Sequence, residues 1–227
     1  VRCGYKTAWR DMQQAGLISE RLHAKVHEIK MPDLSKSRDT LDSLIAEFAD
    51  VFDDETLTPV VGEPMQIHLM RDAPNYKPTR ISTSRKVPLH FKKEADKTLD
   101  WFLKSGVIVP VPPHEKVEWV SPGFFVAKPN EKCRLVVDMR DINSFINRPV
   151  HPFPSPRDVV KNIKPQSAWF CSLDALSGYY QIQLDEESSF LTTFLLPQGR
   201  FRFLRAPMGM KNSSDVFCHR TDDILSD

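Results

Sequence analysis

Two stretches of the chain space their apolar residues as an amphipathic helix does. In residues 39–52 the apolar side chains recur every three or four positions, and Asp39 stands where it can cap the first turn. In residues 88–104 a similar stripe follows Pro88, which suits a first turn, and Gly106 is placed to end the helix. The pattern therefore predicts two helices in the first half of the chain.

Capping residues predict two further helices. Ser155 can cap a short helix that begins at Pro156. Proline is tolerated in the first turn because an N–H there would have no hydrogen-bond partner within the helix. A longer helix is expected to begin after Asn212 and to run to the C-terminus, with Asp215 at the end where the helix dipole favours negative charge. Residues 1–37 are polar and weakly periodic, and we interpret them as an extension or linker.

Short apolar runs between turn residues predict the strands. One hairpin is expected from residues 123–128 and 133–138, a second from residues 190–196 and 200–204, and a short strand-like stretch at residues 65–70. The acidic run 185–187 is expected to be a polar turn. The apolar run 169–173 predicts a buried strand with Asp174 at its C-terminal end.

The composition is that of a folded protein, and charge alone leaves the kind of partner open. Of the 227 residues, 41% are hydrophobic and 27% are charged, and the formal net charge is +1. Residues 77–134 hold 12 basic and 6 acidic residues. A mixed solvated face is the commoner cause of such an excess, and a basic surface for a polyanion is the alternative.

The cysteines and the apolar runs favour an intracellular location. Cys3, Cys133, Cys171 and Cys218 lie far apart and form no metal-binding pair, so reduced thiols are expected. No run approaches the roughly 18 apolar residues that a membrane span requires, so no membrane partner is expected. The chain starts at Val1 rather than Met, which indicates a piece of a longer reading frame.

Asp174 is the strongest candidate for catalysis. A carboxylate at the end of a buried strand, just before Ser177 and Gly178, stands where the chain turns to the surface. Such a carboxylate can hold a divalent cation against a substrate phosphate. A turn or cap residue is the alternative role at a strand end, and the residue alone does not decide between the two.

Five stretches of the chain follow one another as the motifs of a known enzyme family do. They are FADVF (48–52), LKSGVI (103–108), KCRLVVDMRDIN (132–143), SLDALSGYYQI (172–182) and RFRFLRAPMGMKN (200–212). Together they resemble the reverse transcriptases of Gypsy-type LTR-retrotransposon Pol polyproteins, in the family's order and at about its spacing. The last three look like the nucleotide-binding fingers strand, the first metal-binding motif, and the hairpin and loop beneath the primer and nucleotide. The resemblance runs from about Leu41 to the end.

The resemblance implies a fold and a division into subdomains. The expected class is α+β, with the fingers and a partial palm of a right-hand polymerase and an antiparallel sheet backed by helices. The fingers would comprise residues 38–151 and 182–212, and the palm residues 152–181 and 213–227. Residues 1–37 would precede them as the linker.

The resemblance also implies roles for charged residues. Asp174 would be the catalytic carboxylate and would hold Mg²⁺ or Mn²⁺. Arg134 would face the triphosphate, because its planar fork binds phosphate oxygens. Lys128, on the same hairpin, would add a charge at the outer phosphates. The turn is about one residue shorter than is common in the family, so Lys132 competes with Lys128 for that role.

Three further residues complete the implied site: Tyr179, Gly209 and Lys211. Tyr179 would pack beneath the sugar and exclude a 2′-OH, whereas we expect Tyr180 to pack in the core. Gly209 would let the backbone approach the template or nucleotide closely, and a simple turn is the alternative. Lys211 would contact the nucleic-acid backbone. Asp138 is expected to form a structural ion pair with Arg140.

The implied function is the N-terminal part of an RNA-directed DNA polymerase, a nucleotidyltransferase. Its partners would be an RNA or DNA template-primer, deoxynucleoside triphosphates and the remainder of the Pol polyprotein. The resemblance also implies a location in the cytoplasm, a virus-like particle or the nucleus. The pair Asp222 and Asp223 follows the preceding loop too closely to be the family's second aspartate motif, and it falls inside the predicted last helix. We therefore expect the chain alone to be inactive. A non-catalytic nucleic-acid-binding relic and a structural or protein-interaction domain are the alternatives.

Overall fold

The computed structural model describes residues 34–49, 51, 57–127, 133–152, 155–163 and 174–225. Its helices and strands, in chain order, are α1 (Leu34–Glu47), α2 (Lys92–Lys104), β1 (Ile108–Pro110), β2 (Ser121–Ala127), β3 (Cys133–Val137), α3 (Arg140–Asn143), α4 (Pro156–Asn162), α5 (Glu186–Leu191), β4 (Phe194–Leu196), β5 (Gly199–Phe203) and α6 (Ser213–Leu225). The chain divides into two units, residues 1–53 with 154–173, and residues 54–153 with 174–227.

The two described helices of the first unit differ in how well their starts were predicted. Helix α1 covers Leu34–Glu47, so Asp39 lies inside it, and the prediction that Asp39 caps the helix is wrong. Residues 34–38 contain no proline or glycine, so the helix extends backwards from Asp39 through them. Helix α4 begins as predicted: Ser155 Oγ accepts a 3.2 Å hydrogen bond from the backbone N–H of Asp158, and Pro156 occupies the first turn.

The second unit holds a five-stranded sheet in the order β1-β5-β4-β2-β3. Both predicted hairpins are confirmed, because β2 pairs antiparallel with β3 and β4 pairs antiparallel with β5. The connection between the hairpins was not predicted. Strand β2 pairs in parallel with β4, with Ser121 opposite Phe194, so the sheet is antiparallel except at this junction.

The junction between the hairpins is packed without space for a larger residue. Phe194 is fully buried, and a Cβ added to Gly123 on the neighbouring strand would lie 2.8 Å from the Phe194 ring. Trp119, just before β2, is 1% exposed and shares the same core. The close approach of backbone to ring requires glycine at this position, and it holds the two hairpins as one sheet.

Helix α2 confirms the helix predicted at residues 88–104 but begins later. Pro88 is extended, with φ −58° and ψ 142°, and precedes a single 3-10 turn, Leu89–Phe91, before α2 starts at Lys92. The helix buries Ala95, Leu99 and Phe102. Gly106 ends it as predicted, at φ +63°.

Three predictions of local structure in the second unit are wrong. Residues 185–187 are not a turn, because Asp185 caps helix α5 by accepting a 2.8 Å hydrogen bond from the backbone N–H of Ser188. The strand expected from residue 190 consequently starts only at Phe194. Residues 65–70, predicted to be strand-like, form isolated bridges at Met65 and Leu69 and no continuous strand. Helix α6 is confirmed, and the strand expected at residues 169–173 lies outside the described residues.

Candidate nucleotide and nucleic-acid site

Arg134 is exposed on strand β3, and the strand itself is packed and hydrogen-bonded to its neighbours. The alternating residues Leu135 and Val137 are buried, whereas Arg134 is exposed. At the start of the strand, Cys133 Sγ donates to the backbone oxygen of Glu94 on α2, at 3.2 Å. Helix α2 therefore contacts the start of β3, and the Arg134 side chain remains exposed to solvent. Lys128, together with its competitor Lys132, lies outside the described residues.

The two adjacent tyrosines lie in different environments. Tyr180 is 6% exposed and packs edge-on against Phe102 at 5.5 Å between ring centroids, which confirms that it is a core residue. Burial raises the pKa of Tyr180 to about 12, and the positive charge of Arg134 acts in the opposite direction. Tyr179 is half-buried, with its ring edge-on to Phe217 at 5.5 Å. The two rings therefore differ: Tyr180 belongs to the core, whereas part of the Tyr179 side chain is accessible.

Asp174 stands exposed at the start of that turn. Ser177, three residues later, has φ +50°, a left-handed conformation that only a small share of residues other than glycine adopt. Gly178 follows, and a Cβ on it would lie 2.7 Å from the Phe217 ring. The turn that leads from Asp174 to Tyr179 is thus pressed closely against helix α6.

The loop between β5 and α6 carries the other two predicted site residues. Gly209 is exposed and has φ +86°, which glycine adopts without strain. A Cβ there would lie 3.9 Å from the backbone oxygen of Val137, so the conformation rather than crowding favours glycine. Lys211 is also exposed. Gly209 is therefore brought beside the end of β3, the strand that carries Arg134.

Sequence reasoning missed Asn143, the residue that joins this loop to the hairpin. Its Nδ2 donates to the backbone oxygen of Gly209 at 2.7 Å, and its Oδ1 accepts from the backbone N–H of Lys211 at 2.8 Å. Asn143 lies at the end of α3, immediately after β3. Only its position in the stretch 132–143 gave a signal, because an asparagine with backbone partners far along the chain has no local pattern.

A surface pocket of about 340 Å³ lies between the hairpin and the loop. It is lined by Phe124, Val136, Val137, Asp138, Met139, Arg140, Asn143 and Gly209. The predicted ion pair is confirmed on its wall, with Arg140 Nη2 2.6 Å from Asp138 Oδ2. The hydrogen bond from Arg140 outweighs burial and holds the pKa of Asp138 below its ordinary value.

The start of α6 carries a buried carboxylate, paired with a partly exposed arginine, that the sequence did not indicate. Asp215 is 2% exposed and accepts two hydrogen bonds from Arg148, at 2.7 and 3.0 Å, and one from the backbone N–H of His151 at 3.1 Å. The bond from Arg148 lowers the pKa of Asp215. Asp222 and Asp223 lie within α6 as expected, and Asp222 Oδ2 lies 2.8 Å from His151 Nε2.

The donor set that the described residues offer a metal ion is small. Asp174 is an exposed carboxylate, and within the described ranges no three His, Cys, Asp or Glu side chains converge on one point. A divalent cation such as Mg²⁺ takes about six oxygen ligands. One carboxylate does not fit a two-ion site. None of the helices in the described part of the chain is long and apolar enough to cross a bilayer.

Comparison with known proteins gives a consistent set of similarities. The family profile described as reverse transcriptase (RNA-dependent DNA polymerase) matches residues 126–227. The chain is 28% identical over 193 residues to the Pol polyprotein from transposon opus of Drosophila melanogaster, covering 83% of this chain and 18% of that protein. It is 30% identical over 194 residues to that from transposon 412 of the same organism, covering 82% and 15%. The chain thus spans less than a fifth of the length of these relatives.

Solved structures show the fold. The protease–reverse transcriptase of prototype foamy virus superposes with a TM-score of 0.69 at 20% identity, covering 90% of this chain and 26% of that one. A foamy viral protease–reverse transcriptase in complex with an RNA/DNA hybrid superposes with a TM-score of 0.60 at 16% identity, covering 90% and 26%. The expected α+β fold, with the fingers and palm elements of a right-hand polymerase, is confirmed.

Proposed function

We infer that this chain, whose residues 126–227 belong to the reverse transcriptase family, is the nucleotide- and template-contacting part of an RNA-directed DNA polymerase from a retrotransposon Pol polyprotein. One observation carries the proposal. Asn143 joins the β2–β3 hairpin to the Gly209 turn, so that the strand of Arg134 and the loop of Lys211 border one surface pocket. The motifs that resembled nucleotide-binding elements therefore meet around a common opening.

The nucleotide subsite is proposed to lie along Arg134, Tyr179 and Gly209. Arg134 stands exposed on β3, and its guanidinium suits phosphate oxygens. Tyr179 keeps part of its ring open while Phe217 supports it from one side, so it can exclude a sugar 2′-OH by contact. Gly209, with an exposed backbone, allows a base or sugar to approach closely. The substrates would be deoxynucleoside triphosphates.

The template-primer, RNA or DNA, is proposed to lie across the loop, with Lys211 on a backbone phosphate. Lys211 is exposed, and its backbone is fixed by Asn143. Lys128 is proposed as a second charge at the triphosphate. The polymerase fingers would be residues 38–151 and 182–212, and the palm residues 152–181 and 213–227.

Asp174 is proposed to supply one carboxylate to the divalent-cation site of the assembled polymerase. Reverse transcriptases use divalent metal ions, and two-ion phosphoryl transfer requires several carboxylates. The described residues contribute one. We therefore propose that this chain by itself binds nucleic acid without extending a primer, and that the remainder of the Pol polyprotein completes the site.

Binding of a fluorescent RNA–DNA hybrid tests the proposed partner. We expect submillimolar binding that weakens steeply with salt, because phosphate contacts release counterions. Lys211→Ala is expected to reduce affinity several-fold and to lower the salt slope by about one. Arg157→Ala, an exposed arginine of α4 in the other unit, is the matched control and should leave both unchanged. Salt-insensitive or absent binding by the native chain would contradict the proposal and favour a structural or protein-interaction domain.

Nucleotide contact and polymerisation are tested separately. A photoreactive deoxynucleoside triphosphate should crosslink to the native chain with its hybrid, and Arg134→Ala should reduce the yield at least several-fold, whereas Arg157→Ala should not. Primer extension with Mg²⁺ or Mn²⁺ should give no product. Robust extension by the purified chain would refute our view of Asp174, and hybrid binding without nucleotide crosslinking would favour a non-catalytic relic.

A further inference from the structure

We propose that Asn143 is a positioning residue, which sets where Gly209 and Lys211 stand relative to strand β3. The inference rests on the proposed nucleic-acid-binding function of this surface. It concerns a residue that itself need not touch the ligand. Asn143 is half-buried behind the loop, and both ends of its amide are engaged by the loop backbone.

The chemistry of the two bonds requires an asparagine. The Gly209 backbone oxygen needs a donor, and the Lys211 N–H needs an acceptor, two residues further along the chain. A side-chain amide offers both groups in one plane. An aspartate at this position would have no donor and would set a charged oxygen against the Gly209 carbonyl. An alanine would offer neither group.

The loop depends on this outside support because its exposed residues have little of their own. Pro207 and Met210 are buried, and Ser213 Oγ donates to the Pro207 oxygen at 2.9 Å, so the base of the loop is held from below. Gly209 and Lys211 are exposed, and glycine leaves the chain free to adopt many conformations. The Asn143 amide therefore decides which of these conformations the loop keeps.

Asn143 is itself held rigidly to the strand of Arg134. Its backbone N–H donates to Met139 O at 2.9 Å, Met139 is 2% exposed, and α3 follows β3 after two residues. Because Asn143 bonds both Met139 and Lys211, it limits how far Lys211 can move relative to the hairpin that bears Arg134. The proposal predicts that Asn143 and Lys211 act on nucleic-acid affinity as one unit.

A double-mutant cycle on RNA–DNA hybrid affinity tests this coupling. Asn143→Ala should weaken binding about 5- to 10-fold, which is the effect expected from the loss of about one hydrogen bond. Lys211→Ala should weaken binding several-fold in the native chain but less than about twofold in the Asn143→Ala background. Ser144→Ala, which removes a hydroxyl bonded only to Arg140 within α3, is the matched control and should bind as the native chain does.

Amide hydrogen exchange reads the same contact without any ligand. The Lys211 amide should exchange slowly in the native chain and in Ser144→Ala, and at least tenfold faster in Asn143→Ala, while the amides of β4 and β5 stay protected and report an intact fold. Unchanged exchange at Lys211, native-like hybrid affinity of Asn143→Ala, or equal effects of Lys211→Ala in both backgrounds would each overturn the proposal. Failure of the native chain to bind the hybrid, with the exchange result as expected, would instead refute the proposed function.

Discussion

The loop that carries Gly209 and the turn that carries Asp174 hold their predicted site residues in different ways. In the loop, side chains from outside bond the backbone: Asn143 bonds the exposed residues Gly209 and Lys211, and Ser213 bonds the buried Pro207. In the turn, Asp174 is exposed, and the recorded side-chain bond is local, from Gln181 Nε2 to Leu176 O at 2.7 Å. The loop is fastened to the sheet, whereas the carboxylate stands at the edge of the turn.

The loop and the turn thus meet different requirements, those of ligand binding and those of catalysis. A surface for phosphates and bases needs its groups fixed before the ligand arrives, because preorganisation lowers the cost of binding. A metal-binding carboxylate needs further carboxylates, which the described residues do not bring to Asp174. The proposed substrate-contacting surface is thus already assembled in the second unit, while Asp174 contributes one group to a larger site.

The largest effect is expected where the segment that holds Arg148 is anchored to α6. Arg148→Met leaves the buried carboxylate of Asp215 without its cationic partner, and the melting temperature should fall on the order of 8 °C, as calorimetry would measure. Asp215→Asn should cost less, because Arg148 is partly exposed and can be hydrated. A larger loss from Asp215→Asn than from Arg148→Met would contradict this account.

The same ion pair predicts how stability changes with pH. The hydrogen bond from Arg148 holds the pKa of Asp215 below its ordinary value, so the folded state binds the proton less readily than the unfolded chain. The stabilisation is therefore complete above the ordinary aspartate pKa of about 4 and is lost as the pH falls below it. Melting temperatures between pH 6 and pH 3 should decline less steeply in Asp215→Asn than in the native chain.

The turn from Asp174 to Tyr179 can be disrupted at Gly178, where a larger side chain has no space. Gly178→Val is expected to destabilise the fold by about 1–3 kcal/mol, because its side chain would meet the Phe217 ring. Denaturant unfolding measures the loss. In a Phe217→Ala background, itself less stable, the added cost of Gly178→Val should nearly vanish, and an undiminished cost would show that crowding by this ring is not the cause.

Backbone strain introduced at Gly209 tests whether the conformation of the loop matters for hybrid binding. Gly209→Ala should cost about 1 kcal/mol of stability, since alanine at φ +86° is strained although space is available. Gly106→Ala introduces similar strain at φ +63°, also without a clash, at the end of α2. Both variants should unfold at lower denaturant, but only Gly209→Ala should weaken hybrid binding. Equal binding by the two variants would argue against a role for the loop.

The smallest effect is expected at Asp174. Because the carboxylate is exposed, Asp174→Asn should change the free energy of unfolding by less than about 0.5 kcal/mol and hybrid affinity by less than about threefold. Unfolding curves and binding isotherms give both values. A strong loss of stability would show that Asp174 serves the fold and would remove it as a catalytic candidate.

Local signals predicted those parts of the fold that are decided locally. Ser155 before a proline, Gly106 after an apolar stripe, and the turn residues around both hairpins each act within a few positions, and the corresponding elements are present. Asp185 shows the limit, because the same aspartate can begin a turn or cap a helix, and burial of the residues that follow decides for the helix.

Contacts between distant residues could not be predicted. Asn143 bonds to a loop 66 to 68 positions later, and Arg148 pairs with Asp215 67 positions later. Neither contact leaves a periodic trace in the chain. The parallel pairing of Ser121 with Phe194 is likewise set by packing of the two hairpins. The resemblance to a family identified which stretches matter, and the fold supplied the residues that hold them together.

The central claim is that strand β3 and the loop that follows β5 form one nucleic-acid-binding surface. The most direct measurement is amide protection of the native chain on titration with an RNA–DNA hybrid, at low and at high salt. We predict protection of residues 133–143 and 207–212 together, at the same hybrid concentration, and its loss at high salt. Protection confined to other parts of the chain, or of one of these two segments without the other, would contradict the claim.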